Sequence, residues 1–368
     1  MRSYKLTLRT EGPVFIGDGQ KIGKKEYIFD PVPNRVHVPE MAKMFRVFQK
    51  QGLMDAYQDY LLSDRRDFTQ WLRANRLLLP RQIPAWVAYS VDSADAVFEE
   101  RGKREILTFI KDPYGCPYVP GSSVKGMLRT VLLSAMLLKD RESLRSEAQA
   151  VRQAELRGPR TRLLSRETDR IEQRYLRTLD RPETRPSNAV NDVMSGLRVS
   201  DSRPLSTEDL ILCQKIDVAV DGQRKRLPIL RECLRPGTEI SFDLTVIPEE
   251  FPHLAGELLQ MAERCRKAYD RCFRDAFPTR DIQQGGTVYL GGGCGYATKT
   301  LAYPLLGENG VETVSRIIDA TLPRQVQTQH KHRLDRQKGA SPHMLKCTQY
   351  HGQVYEMGVC SIAIEENS

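Results

Sequence analysis

Residues Pro117–Thr130 read PYVPGSSVKGMLRT, and the fold turns on how the middle of this stretch is taken. Pro120-Gly121 signals a turn, and Ser122 or Ser123 is the expected cap of a helix that starts there. From that point Val124, Met127, Leu128, Val131, Leu132 and Met136 recur at helical spacing, which predicts a helix over Ser122–Lys139 with this stripe buried. A turn opening straight into a helix leaves backbone N–H groups free to meet an anion. Lys125 and Arg129 lie four residues apart, so both emerge on one side of the helix. The bland alternative is a capped core helix carrying two solvated cations. A phosphate-binding Walker loop needs Gly-Lys before Ser or Thr; here Lys125 precedes Gly126, which argues against nucleotide hydrolysis.

Upstream, Ser3–Thr10 (SYKLTLRT) alternates polar and apolar residues as a half-buried strand does. A glycine-rich loop over Gly12–Pro31 follows, in which Gly17, Lys21, Lys24 and Lys25 are candidate anion contacts, against the plain reading of a hairpin loop. Met41–Leu79 carries apolar residues at helical spacing with a break near Ser63-Asp64, so a helical insertion is expected. Trp86–Val91 and Glu105–Lys111 read as strands, and Asp112–Gly115 as a turn.

Downstream, Lys139–Arg185 holds 13 Lys+Arg against 9 Asp+Glu. So small a surplus favours a solvated helical excursion with exchangeable ion pairs over a dedicated RNA arm, ending in a linker at Arg181–Asp192. Strand-like text returns at residues 196–202, 210–220, 225–233 and 238–247, with Asp221-Gly222 as a hairpin turn. Glu257–Phe273 reads as an amphipathic helix and Gly310–Ala320 as a short one. Gln327–Gly339 reads as a basic, mobile stretch, and Val354–Glu365 as a final strand.

A second glycine-dense stretch, Gly285–Thr300 (GGTVYLGGGCGYATKT), lacks both the Walker order and the GxGxxG order. What remains is a backbone-lined path for phosphates formed by Gly291, Gly292, Gly293 and Gly295, with Tyr296 to stack and Lys299 to pair. A net charge of +9 favours a polyanionic partner. The eight cysteines form no CxxC, and Cys265 and Cys272 have no histidine at ligand spacing, so neither a disulfide framework nor a metal or other cofactor is expected. No apolar run suits a membrane and MRSYKLTLRT has no signal-peptide core, so a cytoplasmic protein without membrane partners is expected.

Six stretches together resemble one family. PYVPGSSVKGMLRT is similar to the IPGSSLKGxLR signature of CRISPR-associated RAMP proteins, and GGGCGYATKT to their C-terminal glycine-rich loop. PVFIGDG, VSDSRPLSTEDLILCQKID, Arg231–Thr238 and SPHMLKCTQYHGQVYEMG narrow the resemblance to the Cas7-like family that forms the fifth subunit of type III-A Csm complexes. The resemblance implies an α+β fold with a ferredoxin-like, RRM-type core over 1–40, 86–135 and 198–368, and insertions at 41–85 and 136–197. It implies binding of the 3′ side of the CRISPR RNA beside Cas7-like backbone and small subunits, with target RNA, and a part in guide 3′-end maturation involving host nucleases. The hairpin Ile216–Ile229 would serve as a thumb wedged between bases. The slicing backbone subunit of such complexes has an aspartate shortly after an Ile-Gly; here Ile22-Gly23 leads to Glu26, with Asp18 the other carboxylate in reach, and that departure argues against slicing. Two alternatives remain open: a metal-independent endoribonuclease using His330, His332, His343 or His351, and a scaffold that binds proteins alone.

Overall fold

Strand β1 (Arg2–Thr10) buries Tyr4, Leu6, Leu8 and Thr10 and turns Lys5, Thr7 and Arg9 the other way, as the alternation in the sequence requires. It lies between β10 (Glu239–Val246) and β15 (Val359–Glu366), antiparallel to both, with Leu6 opposite Phe242 on one side and Ile364 on the other. β7 (Leu197–Val199) and β12 (Val288–Tyr289) complete this sheet in the order β12-β15-β1-β10-β7. Helices α4 (Gly121–Asp140) and α7 (Ala255–Cys272) pack on each other and on this sheet. The computed structural model describes residues 1–367 other than 33, 64, 78–84, 97–104, 155, 157–163, 183, 186, 254 and 279. Leu79, where the sequence placed the end of the first insertion's helices, lies outside the described residues.

The second sheet is built on the hairpin of β8 (Leu210–Ala219) and β9 (Arg224–Leu234), turned at Asp221-Gly222 as expected. From β8 it runs through β13 (Met344–Tyr350) and β14 (Gln353–Glu356) to β11 (Ile282–Gln283), and through β5 (Val87–Asp92) and β4 (Arg35–Pro39) to β3 (Ile28–Asp30). β6 (Ile106–Phe109) pairs with β9, and β2 (Gly17–Ile22) with β6. The Gly12–Pro31 stretch is therefore not a loop: it supplies β2 and β3. The β8–β9 hairpin is not a free-standing thumb either, because β13 pairs with β8 out to Ala219, at the hairpin's tip.

Helices α1 (Met41–Lys50), α2 (Met54–Ser63) and α3 (Phe68–Ala74) form the first insertion. They bury Met44, Phe48, Tyr57, Tyr60, Phe68 and Trp71 with Ile28 and Trp86 in an apolar cluster separate from the main core. The second insertion contains α5 (Arg145–Gln153) and α6 (Ser165–Tyr175). It is less solvated than its composition suggests: Leu144, Ala148, Val151 and Ile171 join the main core, while Arg174–Glu147 and Arg177–Glu172 ion pairs dress the outside. Arg181–Asp192 is no slack linker, since the side chain of Asn191 is buried and bonded to the Arg181 N–H, Thr184 and the Arg185 carbonyl. The stretch expected to be mobile folds as α10 (Arg324–His330), a short 3-10 turn and α11 (Asp335–Lys338), beside α8 (Ala302–Leu306) and α9 (Val311–Thr321).

Candidate nucleic-acid interface

Helix α4 starts one residue earlier than its serines suggested. Pro120 occupies the cap position without a side-chain bond, and the Gly121 N–H donates to Asp201 Oδ1 at 2.8 Å. Ser122 and Ser123 are thus first-turn residues rather than caps, and the protein's own carboxylate takes part of the anion-binding capacity of the helix start. Ser122, Ser123, Gly126, Thr130 and the buried Ser134 line a cavity of about 380 Å³. Lys125 and Arg129 share a side of the helix as expected, but it is the side facing the second insertion. Arg129 donates to Asp192 at 2.6 Å and pairs with Glu172 at 3.1 Å. Burial lowers the Lys125 pKa, with Asp192 opposing and Arg129 and Arg198 adding to the effect.

The opposite wall of the cavity is the glycine loop that follows β12, where Gly291, Gly292, Thr298 and Lys299 face Gly17 and the start of α4. This wall is fixed by backbone: the Gly292 N–H donates to the Phe15 carbonyl at 2.7 Å and the Leu290 N–H to the Gly358 carbonyl at 2.8 Å. At Gly291, φ is +81° and an added Cβ would lie 2.2 Å from the Phe15 oxygen, so only glycine fits.

The other side of the same loop opens on a basic cleft of about 440 Å³ lined by Lys215, Arg231, Lys346 and Lys299 together with Gly293, Gly295 and Tyr296. Gly293, at φ +84°, has room for a Cβ, which would sit 3.7 Å from the Arg231 guanidinium carbon. Arg231 lies over the Phe15 ring at 5.5 Å. Lys346 donates to Asp217 at 3.0 Å, and Lys215 lies 3.5 Å from the same carboxylate. Burial lowers the Lys215 pKa, with Lys346 and Arg231 pushing the same way and Asp217 opposing. Among the described residues, of the four cations in the cleft only Lys215 and Lys346 meet a carboxylate, and both meet that of Asp217, which leaves a concentrated positive potential along the loop. Lys299 Nζ donates to the Gly291 carbonyl at 2.5 Å, and Tyr296, half-buried, accepts from Thr300 Oγ1 at 3.0 Å.

Sequence reading missed Lys215, Arg231 and Lys346. The available signal was strand alternation: Cys213 and Lys215 share a face of β8, and Cys213 stands opposite Arg231. A bulge hides it. Between the pairs Gln214–Leu230 and Ile216–Arg226, Lys215 alone faces three residues of β9 that include Pro228, which cannot donate to the ladder.

The lysines of the first glycine stretch are used differently. Lys21 pairs with Glu105 at 3.0 Å, Lys24 Nζ donates to the Arg65 carbonyl, and Lys25 donates to the Tyr60 and Leu61 carbonyls at 2.9 Å. Lys24 and Lys25 therefore fasten the first insertion instead of facing the cavity. Glu26 closes its own turn by accepting from the Gly23 N–H at 2.6 Å, and Asp18 accepts from Thr108 Oγ1 at 2.6 Å. His332 and His343, expected to be solvated, are buried against Asp335, whereas His351 is exposed and stacks on Tyr350. All eight cysteines are free. Among the described residues no helix is long and apolar enough to cross a membrane.

Residues 7–295 match the family model of the RAMP superfamily. The chain is 34% identical over 391 residues to the CRISPR system Cms protein Csm5 of Mycobacterium tuberculosis strain H37Rv, covering 99% of this chain and 98% of that protein. It is 29% identical over 313 residues to the Streptococcus thermophilus Csm5, covering 82% and 80%. Its fold is similar to the crystal structure of T. onnurineus Csm5, with TM-score 0.60, 18% identity and coverage of 96% and 99%. It is also similar to a chain of the cryo-EM Csm-crRNA-target RNA ternary complex of a type III-A CRISPR-Cas system, with TM-score 0.63, 18% identity and coverage of 99% and 100%. The chain belongs to the RAMP superfamily, as a Csm subunit of the type III-A CRISPR class.

Proposed function

We propose that this Csm subunit is a non-catalytic RNA-binding protein that holds the 3′ side of the CRISPR RNA at the head end of the complex. Its neighbours there are Cas7-like backbone and small subunits and target RNA, and it supports guide 3′-end maturation, with host nucleases as further partners. The observation that carries this reading is the glycine loop itself, with the basic cleft of Lys215, Arg231, Lys299 and Lys346 on one side and the Ser122–Ser123 end of α4 on the other. Backbone approach and cations in excess over carboxylates suit a phosphodiester chain read for shape more than for sequence.

The contact set is Gly17, Ser122, Ser123, Gly291, Gly292, Gly293, Gly295, Tyr296 and Lys299, joined by the three strand cations. Arg129, Lys24 and Lys25 act indirectly, by holding the insertions, while Lys125 lies beside Arg129 and Lys21 is paired with Glu105 just before β6. The strand order β15-β1-β10-β7, with α4 between β1 and β7 and α7 between β10 and β15, supports a ferredoxin-like core with insertions at 41–85 and 136–197. The face of this sheet turned away from the core carries Lys5, Thr7, Arg9, Ser241 and Asp243, with no aromatic among them, so base stacking of the RRM kind has no platform there.

The test is binding of the full chain to single-stranded RNA across a salt series. About three to four phosphate contacts give a log–log slope of about −2 to −3. Equal affinity for duplex DNA, or indifference to salt, refutes the RNA-binding reading. Histidine-dependent cleavage in EDTA leaving 2′,3′-cyclic phosphate ends refutes its non-catalytic part.

A further inference from the structure

Away from the glycine loop, two histidines and an aspartate converge in the interior. Asp335 opens α11 and is fully buried, His332 lies one turn before it, and His343 comes from the segment leading into β13. Asp335 accepts from His332 Nδ1 at 2.9 Å, from His343 Nδ1 at 2.5 Å and from Ser341 Oγ at 2.7 Å. The two imidazole rings are 4.9 Å apart, and one donor atom from each of the three residues lies within 4.8 Å of the others. The sequence expectation of no metal rested on cysteine spacing and passed over this set, whose members are close in space and only loosely spaced along the chain.

We propose that His332, His343 and Asp335 form a binding site for a divalent transition-metal ion, Zn²⁺ being the best match, and that the ion pins α10–α11 to β13. Two imidazoles and one carboxylate suit a borderline ion, whereas Mg²⁺ and Ca²⁺ take oxygen donors. The carboxylate is ready to act as a ligand. Its Oδ1 faces His343 and its Oδ2 faces His332 and Ser341, so the buried carboxylate already points at both rings.

In the metal-free protein the Nδ1 protons fill the space between the rings and the carboxylate. The ion takes their place, so each neutral imidazole carries its proton on Nε2 and a charged one releases a proton to solvent. Ligand bonds of about 2.0–2.2 Å in a tetrahedral arrangement separate donor atoms by about 3.3 Å, so the cluster opens by roughly half to one ångström on loading. Three protein ligands leave a fourth position for water or for the Ser341 hydroxyl. His330 stacks nearly parallel to His332, with ring centroids 5.7 Å apart, on the same short segment.

The experiment titrates the full-length, RNA-free chain with Co²⁺ after EDTA stripping and removal of the chelator. Expected are one bound equivalent, a d–d band without a thiolate charge-transfer band, displacement by Zn²⁺, and a rise in melting temperature with Zn²⁺ but not with Mg²⁺. His332→Gln and His343→Gln should each weaken binding by tenfold or more. Absence of stoichiometric binding at micromolar metal overturns the proposal, as does a thiolate band or a His343→Gln protein that binds as wild type does. Circular dichroism establishes that each variant is folded. If His343→Gln does not fold, the wild-type stoichiometry and spectrum together with His332→Gln give the answer.

Discussion

Two glycine-rich stretches looked alike in the sequence, each pairing glycines with lysines, and the structure uses them in opposite ways. In Gly12–Pro31 the lysines are contiguous with the glycines but are committed to Glu105 and to carbonyls of Arg65, Tyr60 and Leu61. In Gly285–Thr300 the loop supplies only Lys299, yet Lys215, Arg231 and Lys346 rise beside it from three strands of the second sheet. Proximity in sequence found docking lysines, and proximity in space found the cleft. A lysine bonded to carbonyls at a helix end is a fastener, while a lysine crowded by other cations is held ready for an anion.

The largest difference should appear in the glycines. Gly291→Val must place a Cβ against the Phe15 oxygen at positive φ, and a loss of about 3 kcal/mol or more, or failure to fold, is expected in urea unfolding. Gly19 in the first stretch also has positive φ, but nothing lies within 4 Å of its Cβ position; Gly19→Asn should cost under about 1 kcal/mol. Equal costs at the two positions would break the contrast.

Next come the cations. Replacing Lys215, Arg231 and Lys346 together by Gln should weaken RNA binding about a hundredfold and flatten the salt slope by about 2 to 3 units. Lys24→Gln with Lys25→Gln should leave RNA affinity within about threefold while lowering stability by about 1 kcal/mol through loss of the helix-end bonds. Reversed results would mean that the first loop is the RNA contact.

The smallest expected effect is on pH. Because burial lowers the Lys215 pKa, its positive charge is lost at a lower pH than that of an ordinary lysine. Wild-type RNA affinity should therefore fall by a few-fold on alkalinisation, and Lys215→Arg should remove part of that loss. Lys346, Arg231 and Asp217 surround the group.

β1, the β8–β9 hairpin with its Asp221-Gly222 turn and the long helices were legible because each rests on local alternation or spacing: Tyr4, Leu6 and Leu8 for β1, and Val124 to Leu132 for α4. The convergence of Gly17, Ser122 and Gly291 was legible only as shared composition. Three other features depended on distant partners. Arg129 looks solvated until Asp192 and Glu172 are brought to it across the second insertion. Lys215 is aimed by a bulge that belongs to the opposite strand. The histidines looked mobile because their segment is basic, and they are fixed by the single buried carboxylate of Asp335.

The pairing of β15 with β1 also sets a schedule. Thr7 meets Ala363, and the loop carrying Gly291 and Gly292 is held at once by Phe15 from the first strands and by Gly358 from the last hairpin. At ribosomal rates of about 5–20 residues per second, the two sides of that contact are made roughly 20–70 s apart. During this interval β1 lacks its β15 neighbour and the glycine loop lacks its outer brace. The surface proposed for RNA thus takes shape only after β15 has been made, so a nascent chain has little means of engaging RNA before residues 358–363 have emerged.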